Sequence, residues 1–280
     1  MKQPAPVGTL INHSRKKKWH DRFLHYQHPP TRGDIEAWID QFKTTDDKDV
    51  AARLLDSVQL VTRAEMELAF KTLMKTLPGW HRLKSKRQGE WRFVPYAMRP
   101  GESGDNMMAC FRQAMGMQER YYDPLFVYSR QLPSQQLKGT DTVVLIDDFA
   151  GTGDQACKSW NGLFRELVGG AGLVYLMVVA ATVQAQQEIR TNTDLQVMSH
   201  YNLIDADNLF SNHCSHFSEN EKGTVLRYCS AHFPAKPKGY GDCGLLFVLQ
   251  HVCPNNSIPI LHSYNKDKWV PLFPRTKAPA

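Results

Sequence analysis

The chain has 280 residues, 42% of them hydrophobic, and a formal net charge of +6. That is enough apolar sequence for one large domain with extensions or for two smaller ones. No apolar run is long enough to span a bilayer and the polar start Met1–Trp19 has no signal-peptide pattern, so a cytoplasmic protein without a membrane span is expected.

Six cysteines, Cys110, Cys157, Cys214, Cys229, Cys243 and Cys253, are scattered through the chain and read as reduced thiols. The charge is local: residues 1–33 hold seven Lys or Arg against one acid, which is the whole net charge. This basic arm interleaves Trp19, Phe23 and Tyr26 with its cations. Such a pattern suits either a solvated tail or a grip on nucleic acid or a nucleoprotein, with the rings stacking on bases.

From Asp34, a suitable N-cap, Ile35, Trp38, Ile39 and Phe42 fall at helical spacing. A second helix is expected at 47–56. A third follows the capping signature Thr62-x-x-Glu65, with Met66, Phe70, Leu73, Met74 and Leu77 inward and Pro78-Gly79 as its stop. Residues 34–79 therefore read as a helical cap. Residues 80–204 read as an α/β core, with strands predicted at 91–97, 125–128, 143–146, 172–182 and 195–198 alternating with helical segments, as a parallel, doubly wound sheet requires.

Two loops of that core contain glycine just before a helix. The first, residues 99–105, offers Arg99, Ser103 and the amides of Gly101 and Gly104. The second follows Val143–Ile146, an uninterrupted apolar run suited to a strand buried on both faces. Asp147 and Asp148 stand at its end, then Phe149, Ala150, Gly151, Thr152, Gly153, Asp154 and Gln155, and then a helix predicted over 154–168. Acceptor-only carboxylates suit the hydroxyls of a diol, while glycine-flanked amides and a threonine hydroxyl at a helix start suit a phosphate. Apolar residues before two acids also describe a Walker B strand, but no G-x-x-x-x-G-K-[ST] occurs in the chain.

At these residues the sequence resembles the type I phosphoribosyltransferases, whose motif is an apolar strand, two acids, an apolar residue, two variable positions and Thr-Gly-x-Thr. Val143–Ile146, Asp147, Asp148, Phe149, Thr152 and Gly153 match, and Gln155 departs, standing where the family usually has Thr or Ser. The resemblance implies that Asp147 and Asp148 meet the ribose hydroxyls of phosphoribosyl pyrophosphate and that residues 150–155 take its 5′-phosphate. It places the loop 99–105 at the leaving diphosphate, with Arg99 as charge partner and Arg130 as the basic residue of the segment before the central strand. Mg²⁺ is the implied cofactor, and phosphoribosyl transfer or cleavage of a glycosidic bond the implied chemistry. An oligomer is compatible with the reading.

Residues 205–280 read as an irregular carboxy-terminal hood and tail, with Ser218-x-x-Glu221 capping a helix to about His232 and a strand expected at 244–250. Asn255 and Asn256 lie in a Pro-flanked turn and suit either a base edge or the turn itself. His213, Cys214, His216, Cys229 and His232 are the zinc candidates, without regular finger spacing. The helical cap and the Pro-Asn-Asn-x-x-Pro run resemble a divergent branch of phosphoribosyltransferase-like proteins from antiphage systems, some of them retron-linked with a reverse transcriptase and its msDNA. That implies an effector. The short 129–141 segment and Gln155 equally suit a catalytically inactive sugar-phosphate sensor or a nucleoprotein-binding subunit.

Overall fold

The computed structural model describes residues 11–99, 101–266 and 268–275, and the chain divides into two compact units, Met1–Thr62 with Asp205–Ala280, and Arg63–Ile204. The division differs from the expected one. The arm, the first two helices of the cap and the hood make a single unit, because their apolar faces share one core, and the last helix of the cap goes to the other unit.

In the first unit α1 (His13–Phe23) begins where the Asn12 side chain accepts the Arg15 N–H at 2.9 Å. Its aromatic residues are not available to a nucleic acid: Trp19 and Phe23 are fully buried and Tyr26 is 2% exposed. The charges are partly spent as well, since Arg15 pairs with Asp56 at 2.6 Å and Lys16 with Glu36 at 3.0 Å. Arg22 donates to the carbonyls of Leu55 and Asp56. Residues 1–10 of the expected arm lie outside the described residues.

Helix α2 (Arg32–Asp40) starts earlier than expected, because Thr31 is the N-cap and Asp34 is the reciprocal partner of a capping box. Helix α3 (Thr45–Ser57) is capped by Thr44 and leads into a short strand, β1 (Gln59–Val61).

The second unit opens with α4 (Arg63–Thr76), β2 (Trp91–Pro95) and α5 (Ser103–Ala114). The central strand β3 (Thr142–Ala150) is followed by α6 (Asp154–Ser159), a π turn (Trp160–Phe164) and α7 (Arg165–Leu167). Then come β4 (Leu173–Thr182), α8 (Val183–Asn192) and β5 (Gln196–Leu203). The four strands form a parallel sheet in the order β2-β3-β4-β5. Val94, Leu145, Leu176 and Val197 point to one face, where Ala156, Trp160, Phe164, Ala185 and Ile189 cover them. On the opposite face Phe93 meets Phe111 of α5, and Phe111 meets Phe70 of α4.

The strand expected at 125–128 is reduced to a single parallel bridge, Phe126 to Phe93, reinforced by the Val127 N–H on the Phe93 carbonyl at 3.1 Å. Pro124 holds the preceding residues in a 3₁₀ turn and a second 3₁₀ turn follows at Ser129–Gln131, which leaves no length for a ladder. That bridge still decides the topology. From β2 the chain moves outward through α5 to Phe126, then returns across β2 to β3 and winds the other way, with α6 and α8 on the opposite face. The sheet is thus doubly wound, and its winding reverses between β2 and β3.

After the second unit, α9 (Glu219–His232) begins on the expected capping box of Ser218 and Glu221, and β6 (Phe247–Leu249) pairs in parallel with β1. The first unit's core brings Trp38, Phe42, Trp269 and Tyr228 into mutual ring contact, with Phe42 and Tyr228 4.5 Å apart between centroids. Asp47, 6% exposed, anchors this corner by accepting from Tyr228 Oη at 2.8 Å and Arg227 at 2.6 Å. Burial would raise its pKa, but the hydrogen bonds from Tyr228 and Thr44 and the charge of Arg227 outweigh it and hold the carboxyl below its ordinary value.

A depressed carboxyl contributes stability above its unfolded pKa and loses it as pH falls through the folded one. We expect Asp47→Ala to destabilise the first unit by about 1–3 kcal/mol at pH 7, read by urea unfolding, with the gap narrowing on acidification below pH ~4. An unchanged midpoint at pH 7 would contradict this.

Candidate active site

In open α/β sheets the crevice for a ligand lies at the carboxyl ends of the strands where the winding reverses. Here that crevice is between β2 and β3. Strand β2 stops at Pro95, opposite Ile146, whereas β3 continues through Asp147, Asp148, Phe149 and Ala150 beside β4. The acids therefore do not follow the strand, as expected, but sit inside its last residues, just beyond the end of β2. Asp147 is half-buried and Asp148 is 6% exposed.

The Asp147 Oδ1 accepts the Ser103 hydroxyl at 2.6 Å and the Asp148 N–H at 2.9 Å. Burial, and next the charge of Asp148, push the Asp147 carboxyl well above the usual carboxylate range, against the lowering effect of Ser103. Two acids in this position resist being charged together.

The loop beyond them is held from behind. Thr182, at the end of β4, donates its hydroxyl to the Gly151 carbonyl at 2.6 Å and accepts the Ala185 N–H at 2.9 Å, so one residue caps α8 and fixes the loop. Gly153 takes φ +86°, and a Cβ there would lie 3.0 Å from the Ala185 carbonyl and the Glu188 side chain. Gly151 does not have positive φ. The Asp154 N–H closes on Thr152 Oγ1 at 3.3 Å. Among the described residues, the Thr152 and Gly153 N–H groups make no hydrogen bond within the chain. Ala150 is buried and Gln155 is exposed at the first turn of α6.

The other glycine loop is arranged differently from the sequence expectation. Gly104 packs against β2, where a Cβ would meet the Tyr96 backbone at 2.9 Å. The Gly101 N–H is taken by Asp105 Oδ2 at 2.7 Å, and the Met98 N–H by Glu102 Oε2 at 2.8 Å. Of the two amides expected to meet an anion, that of Gly101 is thus occupied by a carboxylate, and Ser103 spends its proton on Asp147. Arg99 is exposed on this loop. Arg130 is also exposed, stacked over Tyr128 at 5.9 Å on the segment outside β2.

Sequence reasoning missed Thr182 and Tyr96. The first carried a signal, a threonine between an apolar run and a helical one. The second did not: the buried Tyr96 hydroxyl donates to the Ala156 carbonyl at 2.6 Å and so ties the end of β2 to α6 across the sheet.

The remaining candidates lie in the first unit. Asn256 is structural, since its Nδ2 donates to the Tyr240 carbonyl at 3.0 Å, while Asn255 lines a cleft. The zinc candidates are not brought together. No group of three metal-ligating side chains occurs among the described residues. His213 binds Asp205 at 2.5 Å, the Cys214 and Cys229 thiols are buried, and His232 lies 4.9 Å from the Trp269 ring. The cause is the core: α9 turns Cys229 into it, and burial raises that thiol to about 12, away from the thiolate that a metal requires.

A raised folded pKa costs stability as pH rises above the unfolded value, and the cost levels off above the folded pKa. Asp147→Asn keeps the Ser103 contact and removes the charge. We expect it to raise Tm of the unliganded protein at pH 7–8 by about 2–6 °C, on the order of 1–2 kcal/mol, with the gain vanishing below pH ~4. Scanning fluorimetry across pH reads this, and a lower Tm for the variant at pH 8 would contradict it.

No curated protein matches the chain. Among solved structures the chain is similar to the crystal structure of TT1426 from Thermus thermophilus, at 20% identity, covering 48% of this chain and 61% of that one. The chain therefore spans less than two thirds of that relative, and the TM-score of 0.20 defines no shared site. The family model for PRTase-CE, by contrast, matches residues 35–275, from α2 to the end of the described hood. The chain belongs to the PRTase-CE family and carries a phosphoribosyltransferase-type fold.

Proposed function

We propose that the second unit binds a phosphorylated pentose, phosphoribosyl pyrophosphate or a related ribose 5-phosphate nucleotide, and breaks or exchanges its bond at C1. The observation that carries this reading is the Asp147–Asp148 pair, half-buried and buried, followed by the Thr152 and Gly153 amides at the reversal of the winding. A diol donating to the two acids, and a 5′-phosphate accepting from the amides and the Thr152 hydroxyl, satisfy both halves at once. Departure of the C1 substituent develops positive charge on the sugar, which carboxylates below the ring stabilise. No protein nucleophile is needed, only positioning of the acceptor and exclusion of stray water.

Mg²⁺ fits the donor set. A pair of carboxylates that resist joint ionisation would be relieved by a hard cation, which Asp147 and Asp148 together with oxygens of the ligand and water would hold. When bound it supplies charge neutralisation of the diphosphate. Arg99, at the mouth of the first loop, is the cation this chain adds to the same task.

A specific observation favours a second reading, a binding protein without turnover. Asp105 holds the Gly101 amide of the proposed diphosphate loop, and Glu102 the Met98 amide beside it. A diphosphate has to displace those carboxylates before the loop can accept it. The biological setting we propose is antiphage defence, which rests on the resemblance of the cap and of the Pro-Asn-Asn segment alone.

Phosphoribosyl pyrophosphate with Mg²⁺ is expected to raise Tm by several degrees, and Asp147→Asn with Asp148→Asn to remove that shift. An undiminished shift in the double variant would sink the site assignment. Incubation with labelled ligand separates the two activities: released pyrophosphate or free base marks an enzyme, and binding with no product over hours marks a sensor. For the defence setting, phage plating reduced on cells that express the wild-type chain should be restored on cells that express the double variant instead, and equal plating on both strains would contradict it.

A further inference from the structure

The first unit holds a cleft of ≈ 320 Å³ whose walls include Phe233, Pro234, Lys236, Asn255, His262 and Ser263. That volume is at the small end of ligand pockets and suits a compound of nucleotide size or less. Its floor is built rigidly. Gly239 takes φ +82° where the 236–240 turn crosses the 255–257 segment, and a Cβ there would lie 2.6 Å from the Ser257 carbonyl. The Tyr240 N–H donates to the Asn255 carbonyl at 2.8 Å, and Asn256 Nδ2 donates back to the Tyr240 carbonyl.

The polar chemistry of the cleft follows from its partners. His262 is 7% exposed, with Nε2 3.1 Å from the Ser257 carbonyl and Nδ1 2.9 Å from Ser263 Oγ. A carbonyl only accepts, so Nε2 carries the proton. Burial, aided by the charge of Arg275, lowers the imidazole to about 4, so the ring is neutral and Nδ1 is bare. Ser263 must then donate to Nδ1, which leaves its oxygen lone pairs as the acceptor offered to the cleft. At the mouth, the exposed Lys236 ammonium is held 4.3 Å over the Tyr240 ring. The cleft therefore presents apolar walls of Phe233, Pro234 and Pro259, one fixed acceptor inside and one cation at the rim.

We propose that this cleft binds an aromatic amine carrying an anionic group, of nucleoside-monophosphate size, with its ring between the apolar walls, its amine on Ser263 Oγ and its anion on Lys236. The site is independent of the Asp147–Asp148 reading and stands or falls without it.

The test uses the full chain and AMP as probe, by calorimetry or saturation-transfer NMR. Adenosine lacks the anion, and purine riboside 5′-monophosphate lacks the amine. AMP is expected to bind more tightly than either, by about fivefold or more, one hydrogen bond or ion pair each. Ser263→Ala should equalise AMP with purine riboside 5′-monophosphate, and Lys236→Ala should equalise AMP with adenosine. Because AMP is also a ribose 5-phosphate nucleotide, the comparisons are repeated in the Asp147→Asn, Asp148→Asn background, where saturable AMP binding with the same two preferences should remain. No saturable AMP binding, retention of both preferences in the two variants, or loss of AMP binding in the Asp147, Asp148 variant would each overturn the proposal.

Discussion

Two adjacent carboxyls on one strand, Asp147 and Asp148, set the terms for the second unit. Placed inside β3 beyond the end of β2, Asp148 is buried and Asp147 half-buried, and Ser103 donates its hydroxyl to Asp147. A like-charge pair partly withdrawn from water is expensive and persists where the surrounding structure over-determines it. Here that structure is a nine-residue strand paired with β4 through Ala150 and a sheet whose winding reverses beside it.

The neighbouring devices keep that position fixed. Gly104 lets α5 begin against the Tyr96 backbone, which brings Ser103 to Asp147. Tyr96 in turn holds α6 through the Ala156 carbonyl, and Thr182 holds the Gly151 carbonyl from the far strand. The Thr152 and Gly153 amides are thereby turned out of the backbone ladder, next to carboxyls that a hydroxyl donor or a cation would stabilise. The 99–105 loop is the contrasting case: the Gly101 amide is taken by Asp105 and the Met98 amide just before the loop by Glu102.

Much of this was legible because it is local. The apolar run Val143–Ile146, the two acids, the glycine loop and the helix starts at Thr62 and Ser218 are each fixed by residues within a few positions of one another. What failed was long-range. The apolar spacing of Leu125–Tyr128 fits a strand, but Pro124 and the flanking 3₁₀ turns leave it one bridge long. The cations and rings at 15–26 fit a nucleic-acid arm until Asp56, Glu36 and the aromatic core of residues 38–42, 228 and 269–273 are known to receive them. Nor can a sequence show that an acid such as Asp105 folds back on the amide four residues before it, since that depends on the Gly101 turn.

The most direct test of the central claim is the ionisation of the pair itself, followed by the ¹³C carboxyl shifts of Asp147 and Asp148 across a pH titration, alone and with phosphoribosyl pyrophosphate and Mg²⁺. The account predicts one carboxyl that stays protonated well above the ordinary aspartate range of about 4 in the free protein and ionises when the ligand binds. Two ordinary titrations in the free protein, or a raised carboxyl that the ligand leaves unmoved, would contradict it.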